Sequence, residues 1–180
     1  MFNFIFKKNL IIKSSFFITF LFVLISLKSF AEIVLFVNSN SITNLRFIGQ
    51  VQVIDGDTIR NGKLKIRLHG IDAPENKQRC KNVNNELYPC GLQSSAFLKK
   101  IINKNDVYCK GGNKDRYGRL IAICYANEIN LNSTMVKEGW AIAYRYYSDD
   151  YINEEESAKK NNRGIWEGAF LEPYIWRKNN

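Results

Sequence analysis

Histidine is almost missing from these 180 residues: His69 stands alone, with no partner evident along the chain, and it reads as structural rather than catalytic. No Cys-x-x-Cys pair occurs, which disfavours a zinc site of the usual spacing. No repeat or low-complexity block divides the chain, and the apolar stretch from Phe16 to Leu27 is too short to favour a membrane span. What is left is a basic chain, with a net charge of +9, long enough for one domain around a single core.

Lys7, Lys8 and Lys13 precede the apolar stretch, and Ser29-Phe30-Ala31 offers small residues where a signal peptidase would cut. Residues 1–31 are therefore expected to be a signal peptide removed after Ala31, with an uncleaved anchor as the alternative. Export would leave the protein periplasmic or secreted. Cleavage takes away Lys7, Lys8, Lys13 and Lys28 and no acid, so much of the basicity belongs to the leader. The remainder is still basic and should attract polyanions in a salt-sensitive way. Residues 32–45 read as an N-terminal extension with a short strand at 33–37, residues 46–172 as the folded domain, and residues 173–180 as a C-terminal tail that frays from Trp176.

Four cysteines, Cys80, Cys90, Cys109 and Cys124, all follow the leader, and an even count in an oxidising compartment favours two disulfides. Cys80 and Cys90 flank a polar loop, whereas Cys109 and Cys124 fall on expected strands either side of an arginine-containing loop. This placement favours the pairing 80 with 90 and 109 with 124 without fixing the connectivity, each closure contributing roughly 3 kcal/mol in the chain-entropy account.

Acidic and arginine side chains gather in three short blocks: Asp55-Gly56-Asp57-Thr58, then Arg67 through Asp72-Ala73-Pro74-Glu75, then Asp115-Arg116-Tyr117-Gly118-Arg119. Carboxylates supply oxygen ligands to a hard cation. Arginine forks neutralise and orient a phosphate. Together they suggest a metal-dependent phosphodiesterase site, although singly each block reads as a polar turn or a solvated strand. Residues 50–54 alternate polar and apolar, Asp55-Gly56-Asp57 turns, and the strand resumes before Asn61-Gly62, so the acids lie near the bend of a hairpin. Residues 63–71 alternate as well, placing Arg67 opposite Leu64, Ile66 and Leu68. Pro74 holds Ala73 extended and ends the ladder, freeing the Ala73 carbonyl to point at a cation.

These three blocks resemble the signature stretches of the staphylococcal nuclease (thermonuclease) family, in order and at similar separations from about Gly49 to Trp166. The resemblance implies that Asp57, Asp72 and the Ala73 carbonyl bind Ca2+, with Asp55 behind them. It further implies that Glu75 positions or deprotonates the attacking water, that Arg67 and Arg119 bind the phosphate, and that Arg116, Tyr117, Tyr144 and Tyr146 contact the nucleotide. Ala73 stands where the family often has threonine and Arg116 where lysine is common; the segment after Trp140 is one residue shorter. The implied activity is exported, calcium-dependent hydrolysis of DNA and RNA that leaves 3′-phosphate ends, by a monomer. The alternative is an OB-fold binding module without catalysis, but such modules usually lose the acids or arginines that this chain keeps.

The expected fold is α+β and mainly β, a five-stranded OB-fold Greek-key barrel with about three α-helices. Strands are expected at 47–54, 57–61, 64–71, 106–110 and 119–125. The first helix, at 93–103, is expected to carry Ala96, Phe97, Lys100 and Ile101 at helical spacing, with Phe97 and Ile101 facing the core. Two more helices are expected at 132–138 and at 153–162, the latter with acids in its first turn, lysines near its end and Gly164 just beyond.

Overall fold

The computed structural model describes residues 45–180. The expected signal peptide and almost all of the N-terminal extension, including the strand at 33–37, lie outside the described residues. Eleven strands are described: β1 (Leu45–Gly49), β2 (Gln52–Val53), β3 (Thr58–Asn61), β4 (Leu64–Leu68), β5 (Ile71–Asp72), β6 (Cys80–Lys81), β7 (Leu87–Tyr88), β8 (Val107–Lys114), β9 (Leu120–Ala126), β10 (Ile129–Asn130) and β11 (Ile142–Ala143). The helices are α1 (Cys90–Ile102), α2 (Leu131–Lys137), α3 (Ile152–Lys160) and α4 (Pro173–Asn179), with a 3-10 turn at Gly164–Glu167.

The main sheet runs β1-β8-β9-β4-β3-β2, with β10 on β9. Among the described strands only β4 and β9 pair in parallel, Ile66 beside Leu120. The expected strand 47–54 is split because it serves two partners. Its first part pairs antiparallel with β8 and its second with β3, so the chain must bend between them. Gly49 supplies the unusual backbone at that corner (φ +153°), and the Asn61 side chain donates to the Gln50 carbonyl at 2.7 Å. Counting β1 and β2 as one bent strand, five strands curl into an OB-type barrel, mainly β with segregated helices.

The expected strand 64–71 also breaks, and this break shapes the site. Gly70 takes φ +72°, and a Cβ there would meet the Tyr151 ring at 2.9 Å. The chain therefore leaves the main sheet after Leu68, and β5 forms a separate ladder with β11, Asp72 opposite Ile142. Inside the barrel Phe47, Ile59, Ile66, Leu68, Val107 and Leu120 are buried together. Alternation along β4 and β9 sends Ile66, Leu68 and Leu120 inward.

Helix α1 begins three residues earlier than expected, directly after Pro89. Its buried face is Cys90, Ser94, Leu98 and Ile102, a strict four-residue spacing. Phe97 and Ile101 pack at the margin of the core, and Ala96 and Lys100 are exposed. The expected core contacts of Phe97 and Ile101 are thus present, with the fully buried stripe one residue further along. The other two expected helices form at 131–137 and 152–160. Residues 173–179, expected as a fraying tail, are helical, started by Pro173 at the first helical position.

Both expected disulfides form. Cys109 and Cys124 are direct partners across β8 and β9, with Cα atoms 4.1 Å apart. Cys80–Cys90 ties β6 to the first residue of α1 across 5.5 Å. Mass spectrometry of the non-reduced protein should show no free thiol and peptides joining Cys80 to Cys90 and Cys109 to Cys124. Four free thiols, or crossed peptides, would contradict this arrangement.

Candidate active site

The turn between β2 and β3 places the first two acids. Asp55 Oδ1 accepts the main-chain N–H of Asp57 at 3.0 Å, and the Ile54 N–H reaches the Thr58 carbonyl at 2.9 Å, closing the bend. Gly56 is required by crowding: a Cβ there would lie 1.9 Å from Ser94 Oγ on α1 and 2.7 Å from the Ala73 Cβ. The Asp55-to-Asp57 turn is therefore pressed between α1 and the Ala73 segment. Burial pushes the Asp55 carboxyl above its usual range, with Arg67 pulling the other way.

Asp57 and Asp72 are almost wholly buried, and Arg67 joins them. From the middle of β4 its guanidinium pairs with Asp57 Oδ1 through Nη1 and with Asp72 Oδ1 through Nη2, at 2.7 Å for the latter. Burial lowers the Arg67 pKa, and Asp72 opposes that shift. Asp57 also accepts from Thr58 Oγ1 at 3.0 Å and, through Oδ2, from the Ala73 N–H at 2.8 Å. This last bond fixes Ala73, and with it the Asp72-Ala73 peptide, against the turn.

Glu75 follows on the loop after β5. Its main chain is clamped by α1: a Cβ on Gly91 would fall 1.7 Å from the Glu75 carbonyl oxygen, so only glycine fits there. Buried Gln78 receives the Glu75 N–H on Oε1 at 3.2 Å. The Glu75 carboxylate meets a residue that sequence reasoning did not include, Arg177 of α4. Arg177 donates to Glu75 Oε1 at 2.9 Å, to Asp72 Oδ1 at 2.9 Å and to Asp72 Oδ2 at 3.0 Å. Burial disfavours its charge, yet the bonds to Asp72 and Glu75 hold its pKa above the usual value.

Arg119 sits at the end of the β8–β9 turn. Asp115 orients it, accepting Arg119 Nε at 2.7 Å and the main-chain N–H groups of Tyr117 and Arg119 at 2.9 and 3.0 Å. Burial opposes ionisation of Asp115, but the bonds from Arg119 prevail and hold its carboxyl below the usual range. Arg119 Nη1 lies 3.4 Å from Thr58 Oγ1, which itself bonds to Asp57, so the arginine adjoins the acids. The guanidinium groups of Arg116 and Arg119 lie 4.9 and 5.5 Å from the centre of the exposed Tyr117 ring.

The tyrosines divide. The Tyr144 N–H bonds to the Gly70 carbonyl at 2.9 Å, which seats the residue beside the β5 ladder. Desolvation and then the Asp72 charge raise its hydroxyl pKa. Tyr146 is 82% exposed, and Tyr147 stands between it and Tyr144, its ring 4.8 Å from Tyr146 and 5.0 Å from Tyr144. His69 does have a partner, Asp150 at 3.1 Å, on the protein surface. Beneath β11, buried Glu155 accepts the Ala143 N–H at 3.0 Å and thereby braces the ladder that carries Asp72.

Among the described residues no cluster of three or more His, Cys, Asp or Glu side chains forms a metal cage. Three donors reach each of Asp57 and Asp72, of about four lone-pair positions on a carboxylate, leaving one on each Oδ2 among the described residues. Fully ionised, Asp55, Asp57, Asp72 and Glu75 outweigh Arg67 and Arg177 by two negative charges. A hard divalent cation fits this donor set and this charge.

Residues 65–168 match the sequence profile described as "Staphylococcal nuclease homologue". An uncharacterized endonuclease of Haemophilus influenzae is 35% identical over 71% of this chain and 71% of its own length. An uncharacterized endonuclease of Escherichia coli O157:H7 is 32% identical over 84% of this chain and 98% of its own. A micrococcal nuclease of Shigella flexneri is 32% identical over 71% of this chain and 78% of its own.

The chain belongs to the staphylococcal nuclease family.

A nuclease function, hence phosphodiester chemistry on nucleic acid, goes with that membership. Of the site, Arg67, Asp72, Ala73, Glu75, Arg116, Tyr117, Arg119, Tyr144 and Tyr146 lie inside the matched span, with Asp55 and Asp57 before it. Arg177 lies beyond it. The sequence did carry one signal for its element, since Glu172-Pro173 is a plausible helix start. Two disulfides suit an oxidising compartment. Among the described residues no helix is long and apolar enough to cross a membrane.

Proposed function

We propose that the protein is an exported, monomeric, calcium-dependent nuclease that hydrolyses phosphodiester bonds of DNA and RNA and leaves 3′-phosphate ends. The observation that carries this reading is the convergence of Asp57, Asp72 and Glu75 around Arg67 and Arg177, with Arg119 one hydroxyl away. Export rests on the leader-like residues 1–31, and the tilt toward polyanions on the basic charge.

Asp57, Asp72 and the Ala73 carbonyl would hold the cation, and water and substrate phosphate would fill the rest of its shell. When bound, calcium polarises the phosphodiester as a Lewis acid. Glu75 takes a proton from the attacking water as the new P–O bond forms and the P–O5′ bond breaks, so the phosphate stays on the 3′ side. Arg67 and Arg119 donate charge-assisted hydrogen bonds to the non-bridging oxygens, where charge grows most in the transition state. Asp55 holds the Asp57 main chain. Arg116 meets a neighbouring phosphate, and Tyr117, Tyr144 and Tyr146 stack on or border the bases without selecting among them.

Two side-chain ligands predict modest calcium affinity in the free protein and tighter binding with nucleotide phosphate present. DNA and RNA cleavage by the mature protein should stop in excess chelator and return with calcium. Undiminished cleavage in chelator would eliminate this mechanism, and products with 5′-phosphate ends would reverse the assignment of the broken bond.

A further inference from the structure

The C-terminal segment is built onto Glu75 in two independent ways. Arg177 bonds to the Glu75 carboxylate, and buried Gln78 bridges main chains, accepting the Glu75 N–H while donating from Nε2 to the Leu171 carbonyl at 2.7 Å. Pro173 is buried at the start of α4. Between α4 and Glu75 opens a cleft of about 550 Å3 lined by Glu75, Lys77, Trp176, Arg177 and Asn180, so water has access to the carboxylate.

Glu75 needs a partner. Its side chain is about one-third exposed, and Arg177 is its only side-chain partner among the described residues. A loose glutamate loses rotamer freedom each time it must aim at a water, which adds to the barrier. One fork from Arg177 meets both oxygens of Asp72 and Oε1 of Glu75, which ties the orientation of Glu75 to Asp72 and leaves Oε2 for the water. Arg177 also leaves one lone pair on Asp72 Oδ2, so its presence is compatible with a cation on that carboxylate.

We propose that Arg177 is a positioning residue for hydrolysis: it aims the Glu75 carboxylate at the attacking water, so that helix α4, outside the family match, is part of the active site. This rests on the reading of Glu75 as the base.

The test is steady-state cleavage of DNA by the full mature chain with calcium, comparing the parent, R177A, R177K, R177Q and E75Q. The expected result is a turnover about 10- to 100-fold lower in R177A and R177Q, as for other groups that orient a reacting residue, with KM little changed. R177K should recover part of the loss, and added guanidinium ion should restore R177A but not E75Q. As a readout independent of cleavage, hydrogen exchange in chelator should show α4 losing protection in R177A while the barrel strands keep theirs.

Equal turnover in R177Q and the parent would overturn the proposal. So would a rise in KM alone, which would make Arg177 a substrate contact. Faster cleavage with tighter calcium binding in R177A would overturn it too, making Arg177 a plug in the cation site. If R177A does not fold, R177K and R177Q decide by the same criteria. A parent that does not cut, or an E75Q protein that cuts normally, brings down the nuclease reading or its base, and this proposal with it.

Discussion

Arg119→Ala lowers turnover by about 100- to 1,000-fold, the usual cost of removing one donor aimed at charge that develops in the transition state. The structure supports this magnitude through preorganisation. Asp115 fixes Arg119 by a 2.7 Å bond to Nε and by two main-chain bonds, so the guanidinium pays little reorganisation as the reaction proceeds. Glu75→Gln should lose most turnover as well, because it keeps the volume and removes the base. Neither change should greatly weaken nucleic-acid affinity, which the basic surface shares out. Exposed Lys99 on α1 serves as the control: replacing it should alter only the salt dependence of binding, whereas Lys159 pairs with buried Glu155 and is tied to the fold. Anisotropy with a labelled oligonucleotide, together with single-turnover cleavage, separates the two quantities. If both site variants cut DNA as fast as the parent, the assignment is wrong and the binding-module alternative takes its place.

Asp72→Ala is expected to cost about 3–5 kcal/mol of folding stability as well as activity, because it breaks a buried ion pair and strands its partner. The Asp72 side chain is fully buried and accepts from Arg67 and twice from Arg177. Without it the largely buried Arg67 keeps Asp57 and the Ile71 carbonyl, and Arg177 keeps Glu75. Denaturant unfolding should show a lower midpoint at unchanged slope. A midpoint equal to that of the parent would mean that the arginines find water or other partners, and that the buried charge network matters less than its geometry suggests. Calcium should stabilise the parent protein and should not stabilise this variant, since the variant lacks a proposed ligand.

The expected elements were legible wherever a local pattern decided them. Alternation located β3 and β4, and the acid-to-lysine gradient located α3; β8, expected to end at 110, runs on to Lys114. Mistakes arose where a strand had to change partners. Nothing within residues 47–54 or 64–71 says that β1 joins β8 while β2 joins β3, or that Asp72 leaves the main sheet for β11. Glycines 49 and 70 mark both breaks, but a glycine in a strand pattern signals a bend only once the barrel that requires it is known. On α1 the expected Phe97 and Ile101 do pack against the core, but its apolar and small residues fit more than one stripe, and packing placed Ser94, Leu98 and Ile102 deepest.

For the site, the sequence by itself determined the three acid and arginine blocks and the loops that bear them, and favoured the disulfide partners that form, since each depends on residues near one another in the chain. Those blocks also carried the family. The tertiary structure alone decided how Arg67 bridges Asp57 and Asp72, that Asp115 orients Arg119, and that Tyr147 links the two outer tyrosines. It alone brought in Arg177, 105 residues from Asp72. A contact at that separation leaves no periodic trace in the sequence, because it is set by where the barrel, α1 and the Gln78 bridge deliver the C-terminal helix. Burial then makes the choice firm: a carboxylate shut away from water must find cations, and the fold places Arg67 and Arg177 within reach.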